Sequence, residues 1–167
     1  MERCLINIKL EEENDFWDVE SLYDVCLSPS RKALSSYRFR EDVEPIKELC
    51  YLTRDKTGSV FSAIRYWPIK IENFKCLLLG PLAVHPIRQA EGHGKYLISK
   101  TLQKAESLGW EAVILIGDLS YYSQFDFNIA KSIRFSSPTD PGRILIKSLN
   151  NFKTDGLKGD AIKCGFD

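Results

Sequence analysis

Histidine is scarce in this 167-residue chain, with only His85 and His93, and none of the five cysteines forms a C-x-x-C pair. That leaves no ligand cluster for a catalytic zinc ion and no dithiol for redox chemistry, so no metal site is expected. Cys4, Cys26, Cys50, Cys76 and Cys164 are odd in number and far apart, and they read as buried thiols of a reducing compartment rather than a disulfide framework. The opening MERCLINIKLEEEN is charged within its first residues and acidic after Leu10, which fits neither a signal peptide nor a membrane span. A cytoplasmic protein is expected. Charge excess is absent too: Lys+Arg and Asp+Glu number 23 each, so bulk electrostatics recruits neither nucleic acid nor an anionic membrane. A small-molecule or peptide partner is the better default. With no internal repeat or low-complexity linker, residues 1–167 read as a single domain of ordinary globular composition.

The elements present are mixed. Residues 4–10 (CLINIKL) read as a first strand, and 15–27 (DFWDVESLYDVCL) have helical spacing, with Asn14 or Asp15 as the cap. Residues 28–46 combine breakers with basic and aromatic residues, which suggests a short helix and a loop. The β-rich runs 48–54 and 59–71 flank Asp55-Lys56-Thr57-Gly58 and predict an antiparallel hairpin. Another strand follows at 75–86, with Gly80-Pro81 in mid-run, where a bulge or an unpaired stretch is expected. Leu97, Ile98, Leu102, Ala105 and Leu108 repeat as one face of a helix from Gly92 to Leu108, closed by Gly109 as a left-handed cap. AVILIG (112–117) is a short buried-type strand, residues 119–125 a brief helix, and RILIKSL (143–149) the last clear strand. Hairpin strands followed by strand–helix–strand imply an α/β (α+β) fold, a mixed sheet with helices on its faces.

The segment Gln89-Ala90-Glu91-Gly92-His93-Gly94 carries the chemistry. The helix that follows lacks the Ser, Thr or Asp that would satisfy its first N–H groups. Two glycines permit close backbone approach, and a helix N-terminus favours an anion, so a pyrophosphate is a natural cap. A Walker P-loop fails, because Gly94-Lys95 is followed by Tyr96. A Rossmann fingerprint is weak, because its third glycine would fall on Leu97 and the segment follows a hairpin.

LAVHPIRQAEGHGKYL resembles the acyl-CoA signature of the GNAT superfamily of N-acetyltransferases, Gln/Arg-x-x-Gly-x-Gly/Ala after a Val-x-Pro strand end. Gln89, Gly92 and Gly94 match it, with Val84 and Pro86 upstream. RYWPIKI, LLLGPLAVHP and GDLSYYSQFDF resemble one bacterial subgroup of the family, in order, across roughly residues 30–150.

The resemblance implies a GNAT-type fold with a central, mostly antiparallel mixed sheet flanked by helices. It also implies acetyl-CoA as the cofactor and direct acetyl transfer to a primary amine of a small molecule or peptide. Leu82, Ala83 and Val84 would pair with the pantetheine arm beside the bulge. Gln89, Ala90, Glu91, Gly92, His93, Gly94 and Lys95 would hold the pyrophosphate. Tyr122 would protonate the departing thiolate while its neighbour Tyr121 packs, and Asp118 is a candidate general base, although a helix cap suits it better.

Two departures from the family pattern are Glu91, where a basic residue is common and an acid should weaken phosphate binding, and Asp126 in place of glycine. Arg38, Arg40, Arg65 and Trp67 are candidates for the acceptor wall, Arg65 and Trp67 sharing a strand face. His85 and His93 read as non-catalytic, and Cys76 as packing. A non-catalytic acyl-CoA-binding module and a nucleotide-binding protein are the rival classes. A homodimer through a strand near the C-terminus is left open.

Overall fold

The computed structural model describes residues 6–136 and 139–164; Cys4 and the start of the first predicted strand lie outside them. The chain order is β1 (Ile8–Leu10), α1 (Phe16–Leu27), β2 (Tyr51–Arg54), β3 (Val60–Ile71), β4 (Phe74–Val84), α2 (His93–Ser107), β5 (Ala112–Ile116), α3 (Leu119–Tyr122), β6 (Asn128–Ile129), β7 (Ile133–Arg134), β8 (Ile144–Ser148) and β9 (Gly159–Lys163). The sheet runs β1-β2-β3-β4-β5-β8-β6, and β9 pairs with both β3 and β7. Every pairing on the main path is antiparallel except β4 with β5.

Side chains alternate across this sheet and bury its two faces separately. On one face Leu97, Ile98, Leu102 and Ala105 of α2 pack with Ile64, Tyr66, Leu77, Leu79, Val113 and Leu115. On the other, Val19, Leu22 and Tyr23 of α1 pack with Leu52, Ala63 and Ala83. Farther along that second face, Phe39 and the segment Ala130–Phe135 cover Ile69, Leu78, Ile114 and Ile146. Gly109 takes φ +87°, the expected left-handed exit from α2.

Polar contacts fix α1 against the sheet. The guanidinium of buried Arg65 on β3 donates to both carboxylate oxygens of Glu11, at 2.6 and 2.9 Å, and to Glu20 at 2.7 Å. Arg31 holds Glu20 and Asp24 from the other side.

Several expectations need correction. Asp15 precedes α1, but its side chain makes no cap hydrogen bond to the helix; the carboxylate accepts from the Glu12 N–H and pairs with Arg54 and Lys9. Residues 29–33 and 35–39 form two short 3-10 turns. The strand at 144–148 is not the last, because β9 follows and pairs antiparallel with Ile69–Ile71 of β3, beyond the reach of β2. Both C-terminal strands therefore have neighbours on each side within the chain: β8 lies between β5 and β6, and β9 between β3 and β7.

Candidate functional site

The sheet opens at its centre. Strand β4 pairs with β5 only at Leu77↔Val113 and Leu78↔Ile114, so the β5-facing edge of β4 from Leu79 onward has no strand partner. On the other edge, Ile64 opposes Leu82 and Tyr66 opposes Leu79, leaving Gly80 and Pro81 against Arg65 alone. This two-against-one bulge is where Gly80-Pro81 predicted one.

Hydrogen-bond phase then decides which groups face the opening. His85 donates to Phe61 O at 2.7 Å, which makes alternate residues of β4 point their backbone groups toward β3. Leu82 and Val84 therefore turn N–H and C=O to the open side, and Ala83 faces β3. The Val84 carbonyl accepts from the Cys26 thiol and the Gln89 side chain, and Pro81 O accepts from the Tyr23 hydroxyl at 3.1 Å.

The strand leads into the start of α2. Gly92 sits at the helix N-cap with φ +85° and no side-chain cap hydrogen bond, and Ala90 is also left-handed at φ +66°. The backbone N–H groups of residues 90–95 donate to no backbone or side-chain acceptor among the described residues; Tyr96 is the first to bond back, to Gly92 O at 2.9 Å. A Cβ on Gly94 would meet the Tyr121 hydroxyl at 3.3 Å and Val84 Cγ2 at 3.5 Å. Leu82, Val84, Gln89, Ala90, Gly92, His93, Gly94 and Lys95 line one cleft of about 470 Å³ together with Arg88, Tyr121 and Gln124.

Glu91 does not line that cleft. Its carboxylate meets His93 Nε2 at 2.8 Å and Arg88 Nη1 at 3.4 Å, and these contacts hold it below the usual carboxylate range. Buried His93 packs edge-on against Phe61 at 4.7 Å, and His85 caps the turn after β4 by accepting from the Ile87 N–H.

Leu82 also borders a second cavity, about 250 Å³, set in the splay between β4 and β5. Leu78, Leu79, Gly80, Pro81, Leu115 and Ile116 form its strand walls, and Tyr122, Tyr37 and Arg40 reach it from outside the sheet. Adjacent positions on α3 diverge by about 100°, so Tyr121 turns to Gly94 while the Tyr122 ring lies over Gly117. A Cβ on Gly117 would come within 2.6 Å of Tyr122 Cε2. Burial pushes the Tyr122 hydroxyl up to about 12, with Tyr121 and Asp118 adding to the effect. Asp118 is largely exposed and pairs with Arg143 at 3.3 Å; it gives α3 no side-chain cap, so that expectation fails. Its backbone carbonyl instead accepts from Tyr121 and Tyr122.

Gln124 and Arg88 were missed in the sequence, and Tyr121, expected only to pack, lines the cleft beside Gly94. Only the helical offset of Tyr121 from Tyr122 could have flagged that placement. Arg65 and Trp67 do share a face and line one groove with Phe16. Arg38 is exposed and lines none of these cavities. Cys76 is buried with its thiol pushed up to about 12, as packing requires. Among the described residues no group of three or more His, Cys, Asp or Glu is arranged to hold a metal, and no helix is long and apolar enough to cross a membrane.

No family model matches the chain. The Escherichia coli (strain K12) protein named uncharacterized N-acetyltransferase YhbS is 27% identical over 115 aligned positions, spanning 62% of this chain and 69% of that protein. The crystal structure of the GNAT family N-acetyltransferase YhbS from Escherichia coli in complex with CoA superposes with a TM-score of 0.81 at 21% identity, over 93% of this chain and 87% of that one. A GNAT family acetyltransferase from Brucella melitensis in complex with acetyl-CoA gives 0.69 at 23% identity, over 93% and 94%. The chain therefore has the fold of these GNAT family acetyltransferases.

Proposed function

We propose that the chain is an acetyl-CoA-dependent N-acetyltransferase that acetylates a primary amine directly, without a covalent enzyme intermediate. The observation that carries this reading is the continuity of unpaired backbone donors, from the open edge at Leu82 and Val84 to the six N–H groups of residues 90–95. The first pair suits the amide groups of an extended pantetheine arm, and the second suits a pyrophosphate at the positive end of α2. Gly94, which a Cβ would crowd against Tyr121 and Val84, keeps the approach clear.

Acetyl-CoA supplies an acyl group activated as a thioester. The chain's own residues do the rest. The open edge of β4 orients the donor, and the N–H of Leu82 is available to the thioester oxygen as negative charge builds there. The apolar walls Leu79, Leu115 and Ile116 limit water at the reacting carbonyl. Tyr122, its hydroxyl held protonated by burial, donates a hydrogen bond toward the leaving sulfur. Asp118 is a weak candidate for the base because its exposed carboxylate is engaged by Arg143. An amine delivered neutral, or through water, fits the site better.

The test is thiol release from acetyl-CoA against a panel of primary amines. Amine-dependent release of CoA with stoichiometric N-acetyl product supports the reading. Tight CoA binding with no product from any amine would favour the non-catalytic acyl-CoA-binding module instead.

A further inference from the structure

Two polar side chains at the splay, Arg40 and Tyr37, take no part in the donor site proposed above. Arg40, at the end of the 35–39 turn, lays its guanidinium over the Tyr37 ring at 4.4 Å. Among the described residues, Arg40 Nε and Nη1 and the Tyr37 hydroxyl are buried without a hydrogen-bond partner of good geometry, the hydroxyl lying near the Arg31 guanidinium. The neighbouring buried arginines are neutralised, Arg31 by Glu20 and Asp24 and Arg65 by Glu11 and Glu20. Among the described residues no carboxylate pairs with Arg40. An unpaired buried cation costs stability, and burial draws this guanidinium down to about 10. Folds keep such groups where a ligand completes them.

The position is specific. Arg40 and Tyr37 line both the cavity in the splay and the adjoining groove formed with Phe16, Lys32, Glu41 and Trp67. A Cβ on Gly80, inside the bulge, would come within 3.1 Å of Arg40 Nη2. Arg40 and Tyr37 are thus shared between the groove and the cavity in the splay.

We propose that Arg40, with the Tyr37 hydroxyl, binds a carboxylate of the acceptor, so that the acceptor is an amine of amino-acid type rather than a polyamine. The inference rests on the acetyltransferase reading above. A planar guanidinium matches a carboxylate in geometry and charge, and the same cation repels a substrate that carries only ammonium groups. Arg40 acts here as a specificity-determining residue.

The experiment titrates N-acetyl amino acids and their carboxamides into the CoA-loaded protein and its Arg40→Gln and Arg40→Lys variants. At least one N-acetyl amino acid should bind about tenfold tighter than its own amide, Arg40→Gln should bring the two within about twofold, and Arg40→Lys should keep part of the preference. CoA affinity should be unchanged in both variants. Arg40→Met should melt at or above the wild-type temperature, because it removes an uncompensated buried charge. Equal binding of acids and amides across the panel, an equal loss of both in Arg40→Gln, or a lowered melting point for Arg40→Met would overturn the assignment. If the wild type binds no CoA, the acetyltransferase reading fails separately; the same titration without CoA still tests Arg40, and the absence of any carboxylate preference there overturns it.

Discussion

Replacing Tyr122 by Phe removes one hydroxyl and little else. The ring packs edge-on with Tyr121 at 5.0 Å and with Phe127 at 5.8 Å, and it lies over Gly117; a Phe keeps all of this, so stability should stay within about 0.5 kcal/mol. The activity loss follows from the acidity of the group. With the hydroxyl at about 12 and a free thiol near 8.5, complete proton transfer to a thiolate would be uphill by about 3.5 pH units, or about 5 kcal/mol. In the proposed reaction Tyr122 would therefore act as a hydrogen-bond donor, and a hydrogen bond to a charged partner is worth about 1.5–3 kcal/mol. Tyr122→Phe should lower kcat by about 10- to 150-fold and leave CoA affinity unchanged. The assay is thiol release at saturating acceptor, measured from pH 7 to 10. No falling limb in that range should belong to Tyr122, because the folded hydroxyl ionises only near 12. A loss smaller than about threefold, or a falling limb near pH 9 that the variant abolishes, would refute the reasoning.

Gly117→Ala forces a Cβ to within 2.6 Å of the same ring, so it should cost activity comparably to Tyr122→Phe, and the double variant should lose little more than either alone in the thiol-release assay. Asp15 tests a different layer. Burial alone would raise its carboxyl, but the Arg54 and Lys9 side chains and the Glu12 N–H bring it down from 3.8 to about 2. A depressed acid stabilises the fold above its unfolded value and loses that contribution as pH falls through the folded one. Urea midpoints should therefore show about 1–2 kcal/mol lost between pH 4 and 2, a slope that Asp15→Asn flattens. Leu97, fully buried between α2 and the sheet, should cost about 2–5 kcal/mol as Leu97→Ala in urea unfolding, and a cost under about 1 kcal/mol would mean that this face is not closely packed.

What was legible in the sequence came from local rules. The α2 periodicity, Gly109 as its left-handed exit and the Gly80-Pro81 bulge each follow from backbone chemistry that neighbouring residues cannot override. The four-residue turn at Asp55–Gly58 likewise forces β2 against β3. What escaped depends on distant partners. Strand β9 has a polar pattern, GDAIK, and owes its existence to Ile69–Ile71 extending past the end of β2. Asp15 had the right type and place for a cap, but Arg54 and Lys9, remote in sequence, claim its carboxylate. The contacts of Glu91 with His93 and Arg88 could not be read from its place in the loop. Arg40 appeared only as one of several basic residues; that its Nε and Nη1 find no partner among the described residues is a fact of packing that spacing cannot encode.

The central claim is that the open edge of β4 and the start of α2 form an acyl-CoA site, and calorimetric titration with acetyl-CoA and free CoA tests it most directly. The wild type should bind both saturably. Gly94→Trp, which places an indole where even a Cβ would sit tightly against the Tyr121 hydroxyl, should abolish binding while the protein retains its circular dichroism spectrum. A folded wild type that binds neither ligand, or a Gly94→Trp variant that binds as well as the wild type, would contradict the account.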